Sequence, residues 1–329
     1  MRYLKNDCTD PHWNMAFDEF CLESLPLDEP LFYLWQNAPA VIIGLNQNAY
    51  NEVNLKYLKD NGIVLARRVT GGGAVYHDLQ NLNYTIVGRS RDLEKDCPGY
   101  MHYVIDALRS LGVNAELSGR NDIMVDSRKV SGYAKRVYKD RLMVHGTLMY
   151  DVDLDALTRA LAVDGSKLQA AGIASVRSRV ANLKEYLPQF HNVKELQAAL
   201  EDILSRGHLD SELTLSPSDL EDIRSIRDRK FATWEWIYSR SPKASRNVRA
   251  KFPSCGTVEV SLSVERGLIS QLDFGGDFLG NLPSEELAQA LKGCRFEYCD
   301  ICKVLSDRGV QNYFDGLAPE ELSRLICGD

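Results

Sequence analysis

The chain lacks the signatures by which nucleotide sites are usually read. Its 329 residues contain no G-x-x-x-x-G-K-[ST] phosphate loop, no G-x-G-x-x-G turn and no H-E-x-x-H metal motif. Any nucleotide site must therefore be built another way. Basic charge is in deficit: Lys plus Arg is 39 against 46 for Asp plus Glu, a net charge of −7. That balance argues for a protein with no nucleic-acid partner, while leaving room for a local basic pocket. Apolar runs are only a few residues long, far short of a membrane span, so no membrane association is expected. The first residues, Met1-Arg2-Tyr3-Leu4-Lys5-Asn6-Asp7, show no apolar core of an export signal, and a cytoplasmic protein is expected. Cysteines are scattered at Cys8, Cys21, Cys97 and Cys255, with a cluster at Cys294, Cys299, Cys302 and Cys327. Free thiols are the expected state.

What is present is an ordinary globular composition, 44% hydrophobic and 26% charged. The chain is long enough for one large domain or two unequal ones. Apolar spacing predicts helices over 11–25, 53–60, 100–111, 154–161, 193–206 and 217–227. Short apolar runs at 31–35 and 40–44, parted by Asn37-Ala38-Pro39, read as a strand pair. A buried strand over 63–67 leads into a glycine-rich loop, and strands follow at 74–76 and 82–87. Three more are expected at 122–126, 129–138 and 141–150, joined by tight turns at Asp126-Ser127-Arg128 and Lys139-Asp140. A Ser-, Pro-, Lys- and Arg-rich stretch at 239–247 marks a boundary, giving domains 1–245 and 246–329. Beyond it, strands at 248–252, 257–264 and 268–274 and helices at 284–291 and 319–327 suffice for a small α+β domain. Hairpins with helices between them predict an α+β fold, mixed sheets flanked by helices.

The sharpest local feature is Arg67-Arg68-Val69-Thr70-Gly71-Gly72-Gly73-Ala74-Val75-Tyr76-His77-Asp78. Three glycines free the backbone to adopt positive φ and to bring N–H groups close to a ligand. The preceding arginines suit a phosphate or carboxylate. A flexible surface hairpin is the alternative. The second feature is Ser118-Gly119-Arg120-Asn121-Asp122, followed by Arg128-Lys129-Val130-Ser131-Gly132. A carboxylate here can help hold a metal–phosphate complex, and Lys129 can neutralise both an attacking carboxylate and an α-phosphate. On composition alone a solvated hairpin lysine is the commoner reading. The third is His145-Gly146-Thr147-Leu148 within an apolar strand, where a satisfied core histidine is the alternative.

Taken together, in this order, these motifs resemble those of the lipoate–protein ligase family. Trp13-Asn14-Met15-Ala16-Phe17-Asp18-Glu19, Gly44-Leu45-Asn46-Gln47-Asn48, Ser175 to Leu183 and Thr233-Trp234-Glu235-Trp236 extend the resemblance over nearly the whole chain. It implies a catalytic domain of the biotin and lipoate ligase kind over 1–245, with an accessory domain over 246–329. It implies a reaction in two halves: lipoate attacks the α-phosphate of ATP to give lipoyl-AMP, and a lysine of an acceptor domain then takes the lipoyl group. The implied substrates and cofactors are ATP, Mg2+ and lipoate. The implied partners are apo lipoyl domains of 2-oxoacid dehydrogenase complexes and the glycine cleavage H protein, served by a monomer. Carried over by position, Lys129 is the catalytic lysine. Arg68, Gly71, Gly72, Gly73 and Ala74 cradle the adenylate, His77 and Asn81 line the pocket, and Asn121 and Asp122 lie near phosphate and magnesium, with Asp122 as metal ligand. Ser131, Gly132 and His145 complete the wall, and strands around Trp35 and Ile43 supply an apolar tunnel. One position departs from the family pattern: Tyr133 stands where a small residue is usual.

The nearest rival is an ATP-independent lipoyl or octanoyl transferase on the same fold, which needs a nucleophilic cysteine in the pocket. No cysteine lies between Cys97 and Cys255, which disfavours it. A non-catalytic lipoate- or biotin-binding module is a second rival; Lys129, Asp122 and the glycine-rich loop together speak against it. Cys294-x4-Cys299-x2-Cys302 has a spacing known from iron–sulfur ligation, but if the segment is helical, buried thiols are expected.

Overall fold

The computed structural model describes residues 1–118, 121–161, 179–205, 213–239, 244–276, 278 and 281–328. Gly119-Arg120 and residues 175–178 of the motifs above lie outside them. The chain packs as two compact units, Met1–Gln47 with Glu52–Thr233, and Asn48–Asn51 with Trp234–Asp329. Both are α+β, as expected from the sequence. Among the described residues no helix is long and apolar enough to cross a membrane.

The strands of the larger unit are β1 (Arg2–Tyr3), β2 (Leu31–Trp35), β3 (Ala40–Ile43), β4 (Val64–Arg67), β5 (Val75–His77), β6 (Asn81–Arg89), β7 (Glu116–Ser118), β8 (Asp122–Val125), β9 (Arg128–Tyr138) and β10 (Arg141–Met149). Seven form one sheet in the order β1-β2-β6-β10-β9-β8-β7, and three form a second in the order β4-β3-β5. The expected pairing of 31–35 with 40–44 is therefore corrected: β2 lies antiparallel to β6, and β3 lies between β4 and β5. Both runs are buried on both faces. The buried Asn14 amide donates to the Gln36 carbonyl at 3.0 Å and to Asn37 Oδ1 at 2.8 Å, which anchors the connection where the chain passes from one sheet to the other.

The period-2 alternation of the large sheet sorts its residues onto two faces. Phe32, Leu34, Tyr84, Ile86, Leu142 and Val144 join Met101, Val104, Ile105 and Leu108 of helix α2 (Leu93–Ser110), and Leu196 and Leu200 of α3 (Val193–Ser205), in one apolar core. The intervening residues Tyr33, Thr85 and His145 fall in one cross-strand row and meet helix α1 (Pro11–Glu23). Asp10 starts α1: its Oδ1 accepts from the His12 N–H at 2.9 Å, and Pro11 takes the first helical position, both favoured helix-start signals. Helix α2 begins at Leu93 rather than at residue 100. The turn between β8 and β9 places Asp126 and Ser127 at φ 49° and 63°, the paired left-handed residues of a two-residue hairpin.

The smaller unit is an antiparallel sheet of β11 (Ala244–Phe252), β12 (Gly256–Glu265) and β13 (Leu268–Gly276). Helices α4 (Ser284–Leu291), α5 (Tyr298–Arg308) and α6 (Pro319–Cys327) share its core. Helix α5 carries Cys299 and Cys302. It turns Ile301 and Leu305 inward, one helical turn apart, which leaves Cys299 exposed and Cys302 half-buried. The expectation of buried thiols is thereby corrected. Among the described residues no group of three His, Cys, Asp or Glu side chains could hold a metal.

Candidate active site

A cavity of about 650 Å³, open mouth included, lies within the larger unit. Its walls come from Met15 of α1, Trp35 of β2, Ile42 of β3, the loop from Arg68 to Ala74, and the inward residues of β5, β9 and β10. The size suits a substrate-binding pocket.

The glycine-rich loop is held by its own arginine. Buried Arg68 donates from Nε to Thr70 Oγ1 at 3.0 Å, from Nη1 to the Ile42 carbonyl at 3.0 Å, and from Nη2 to the Gly71 and Gly73 carbonyls at 2.7 and 2.8 Å. Burial lowers its pKa to about 10, so it stays charged at neutral pH. Most of its donor fork is occupied, and its first role is to shape the loop. Of the three glycines only Gly72 has a positive φ, 96°. Its carbonyl oxygen would lie 2.2 Å from a Cβ on Gly44, so Gly44 is the residue whose missing side chain lets the loop close down. Gly72, Gly73 and Ala74 line the cavity, and Gly71 does not.

Lys129 reaches the cavity because of a β-bulge. The register between β8 and β9 pairs Ile123 with Ser131 and Met124 with Lys129, leaving Val130 as the extra residue. Such a residue re-aims its neighbours. Val130 and Ser131 both turn to the core side, Val130 in the main apolar cluster and Ser131 beside the Tyr84 hydroxyl at 3.5 Å. Lys129 instead lies with Gly132, where its Nζ would be 2.9 Å from an added Cβ. It forms an ion pair of 2.8 Å with Asp122 Oδ1, each side chain about one-third exposed. Asn121 and Tyr133 close this end by mutual contacts, Asn121 Nδ2 to the Tyr133 carbonyl at 3.1 Å and the Tyr133 N–H to the Asn121 carbonyl at 2.9 Å. Tyr133, the departure from the family pattern, lines the cavity.

Two histidines face the cavity and differ in what they offer. His77 Nδ1 accepts from Asn37 Nδ2 at 3.0 Å, so Nε2 carries the proton, and that atom has no partner among the described residues. Burial, and after it the charge of Arg68, hold the His77 pKa down to about 3. His77 thus lines the cavity as a neutral imidazole whose Nε2–H is buried. His145 has both nitrogens engaged, Nδ1 with Asp18 Oδ2 at 2.7 Å and Nε2 with Thr70 Oγ1 at 2.8 Å.

Of the residues singled out in the sequence, the structure brings Arg68, Gly72, Gly73, Ala74, His77, Asn121, Lys129, Gly132 and His145 to the cavity wall. Asp122 stands behind Lys129 as its ion-pair partner. Ser131 and Asn81 stand outside the wall, and Asn81 Nδ2 donates to the lining residue Asn83 at 2.8 Å. The tunnel residue on β3 is Ile42, with Ile43 on the opposite side of the strand. Sequence reading missed Met15, Val75, Asn83, Ala134 and Thr147; strict alternation from Gly132 and from His145 would have found Ala134 and Thr147. No lining residue is a cysteine, and Cys97 is buried in the core on the far face of the sheet.

Known proteins resemble this chain in sequence and fold. The family described as Lipoyl protein ligase A/B catalytic domain matches residues 10–205, and Bacterial lipoate protein ligase C-terminus matches residues 241–326. The lipoate-protein ligase LplJ of Bacillus subtilis is 38% identical over 99% of this chain and 100% of its own. A bipartite lipoate protein ligase of Thermoplasma acidophilum, solved in a study that includes its E2 lipoyl domain, superposes with a TM-score of 0.64 at 31% identity, covering 72% of this chain and 95% of that one. A lipoate-protein ligase A bound with ATP gives 0.61 at 31% identity, covering 72% and 97%. This chain belongs to the lipoyl protein ligase family.

Proposed function

We propose that this pocket carries out ATP-dependent lipoylation. Lipoate displaces pyrophosphate from ATP to give lipoyl-AMP, and the ε-amine of an acceptor lysine then displaces AMP. The observation that carries the reading is Lys129, delivered by the Val130 bulge to the wall opposite the Arg68-clamped loop. In the first half-reaction a carboxylate attacks a phosphate that is itself anionic. A cation between them lowers that repulsion and stabilises charge as it develops. The exposed residues Gly72 and Gly73 of the cavity wall add backbone donors. The apolar wall of Met15, Trp35 and Ile42 suits the acyl chain. Asp122 is the carboxylate we assign to Mg2+: its side chain is about one-third exposed beside Lys129, and magnesium is commonly held by one or two carboxylates together with substrate phosphates and water; magnesium there would screen phosphate charge. Apo lipoyl domains of 2-oxoacid dehydrogenase complexes and the glycine cleavage H protein are the acceptors we assign, and the enzyme acts as a monomer.

Lys129→Ala tests the reading through lipoate-dependent ATP–pyrophosphate exchange. Loss of one such charge-stabilising donor typically costs about 10²–10³-fold in rate. Exchange at the wild-type rate would remove Lys129 from the mechanism.

A further inference from the structure

One buried carboxylate is tied to the cavity wall from behind. Asp18 is 1% exposed on α1. Its Oδ1 accepts the Tyr33 hydroxyl at 2.5 Å and the Thr85 hydroxyl at 3.0 Å, and its Oδ2 faces His145 Nδ1 at 2.7 Å. Thr85 Oγ1 accepts Trp35 Nε1–H at 3.0 Å. Beyond His145, Thr70 Oγ1 lies 2.8 Å from Nε2 and accepts Arg68 Nε–H at 3.0 Å. A continuous chain of polar contacts therefore runs from the Trp35 indole to the clamp of the glycine-rich loop, with Asp18 at its centre.

Donor and acceptor capacities assign the protons. Indole and guanidinium nitrogens only donate, and an ionised carboxylate only accepts. The Thr85 hydroxyl must then give its hydrogen to Asp18. Thr70 accepts from Arg68 and gives its hydrogen to Nε2 of a neutral His145, since the Nδ1 that faces the ionised Asp18 must carry the ring proton. His145 keeps its own proton on Nδ1, facing Asp18. Each of these hydrogens has one acceptor, which is what allows a carboxylate to be buried this deeply. With both nitrogens engaged, His145 shows the cavity its ring rather than a polar atom.

We propose that Asp18 is a positioning residue of the lipoate site. It holds His145 in the Nδ1–H tautomer and, through Thr85, fixes the plane of the Trp35 indole. Both rings then form the wall against which the acyl chain packs. The kinetic consequence rests on the lipoate-activating reading; the tautomer does not.

Asp18→Asn keeps the shape and removes one acceptor. An amide nitrogen facing His145 must donate, so Nδ1 becomes the acceptor and the proton moves to Nε2, the kind of tautomer change a triad aspartate prevents. Nitrogen NMR of the imidazoles in the full chain at mildly alkaline pH reads this directly, with His145→Gln used to assign the resonance. The expected result is Nδ1–H in the wild type and Nε2–H in the variant. The KM for lipoate should rise about 10-fold or more, the scale seen when a residue that orients a site residue is lost. The KM for ATP should hold, because Arg68 keeps its carbonyl partners. Nε2–H in the wild type, an unchanged tautomer in the variant, or an unchanged KM for lipoate would each overturn the proposal. If Asp18→Asn does not fold, Thr85→Val removes the Thr85 bonds to Trp35 and Asp18 and leaves the Asp18–His145 contact: the tautomer should stay and the KM for lipoate should rise, and a wild-type KM overturns the proposal. If the wild type does not use lipoate at all, the lipoate reading fails, and the tautomer in wild type and Asp18→Asn still decides the role of Asp18.

Discussion

Replacing Gly44 by alanine applies a defined steric load to the glycine-rich loop. The new Cβ would lie 2.2 Å from the Gly72 carbonyl oxygen and 3.3 Å from Arg68 Nη2. Ordinary C···O contacts begin at about 3.3 Å, so the loop must retreat by roughly 1 Å. It is not free to do so, because the Leu45 N–H donates to the Thr70 carbonyl at 2.8 Å and Arg68 holds the carbonyls of Gly71 and Gly73. Misplacement of about 1 Å in a site that works by positioning costs about 10²-fold in rate. Overpacking adds about 1–3 kcal/mol of lost stability, which denaturant unfolding reads. The kinetic assay is lipoate-dependent ATP–pyrophosphate exchange, where kcat/KM should fall about 10²-fold. Gly71→Ala is the control: a Cβ there meets nothing within 4 Å, and activity should stay near wild type. A Gly44→Ala enzyme with wild-type exchange would refute the close approach of Gly44 to Gly72 as the feature that sets the loop.

Deleting Val130 removes the extra residue and leaves Lys129 next to core-facing Ser131, so alternation from Gly132 keeps Lys129 on the cavity side and exchange should stay well above the Lys129→Ala level; a folded deletion variant as inactive as Lys129→Ala contradicts the bulge argument. His77 gives a pH prediction. Its folded pKa of about 3 lies below the ordinary 6.5, so the unfolded chain takes up the proton first as pH falls. The stability it contributes is complete above the ordinary value and is lost as pH falls from there toward about 3, with a slope of at most about 1.4 kcal/mol per pH unit. Urea unfolding across that window should show a shallower slope for His77→Gln than for wild type, and equal slopes would count against a neutral buried His77.

Much of this architecture is legible in the residues. The Asp10-Pro11 start of α1, the alternation of β9 and β10, and the turn at Asp126-Ser127 all act locally, so local patterns report them. Partnership between sheets is not local. The runs of β2 and β3 are neighbours in sequence and alike in composition, and what separates them is Asn14 binding the connection from a third element. The bulge at Val130 is equally silent, because one extra residue in a strand of mixed small and apolar residues leaves the alternation ambiguous. It sets Lys129 on the same face as Gly132 and leaves Val130 and Ser131 together on the core side. Helix α5 went unclaimed because its inward residues, Ile301 and Leu305, are set among cysteines and charges. Asp18 did leave a signal: a carboxylate flanked by Met15, Phe17 and Phe20 on a buried helix implies a hydrogen-bonding partner across the core.

The most direct measurement is the mass of a purified apo lipoyl domain after incubation with this protein, lipoate and magnesium, with and without ATP. The account predicts a gain of one lipoyl group on the acceptor lysine with ATP, AMP released in equal amount, and no gain without ATP. Lipoylation that proceeds without ATP, or a domain left unmodified in its presence, would contradict it.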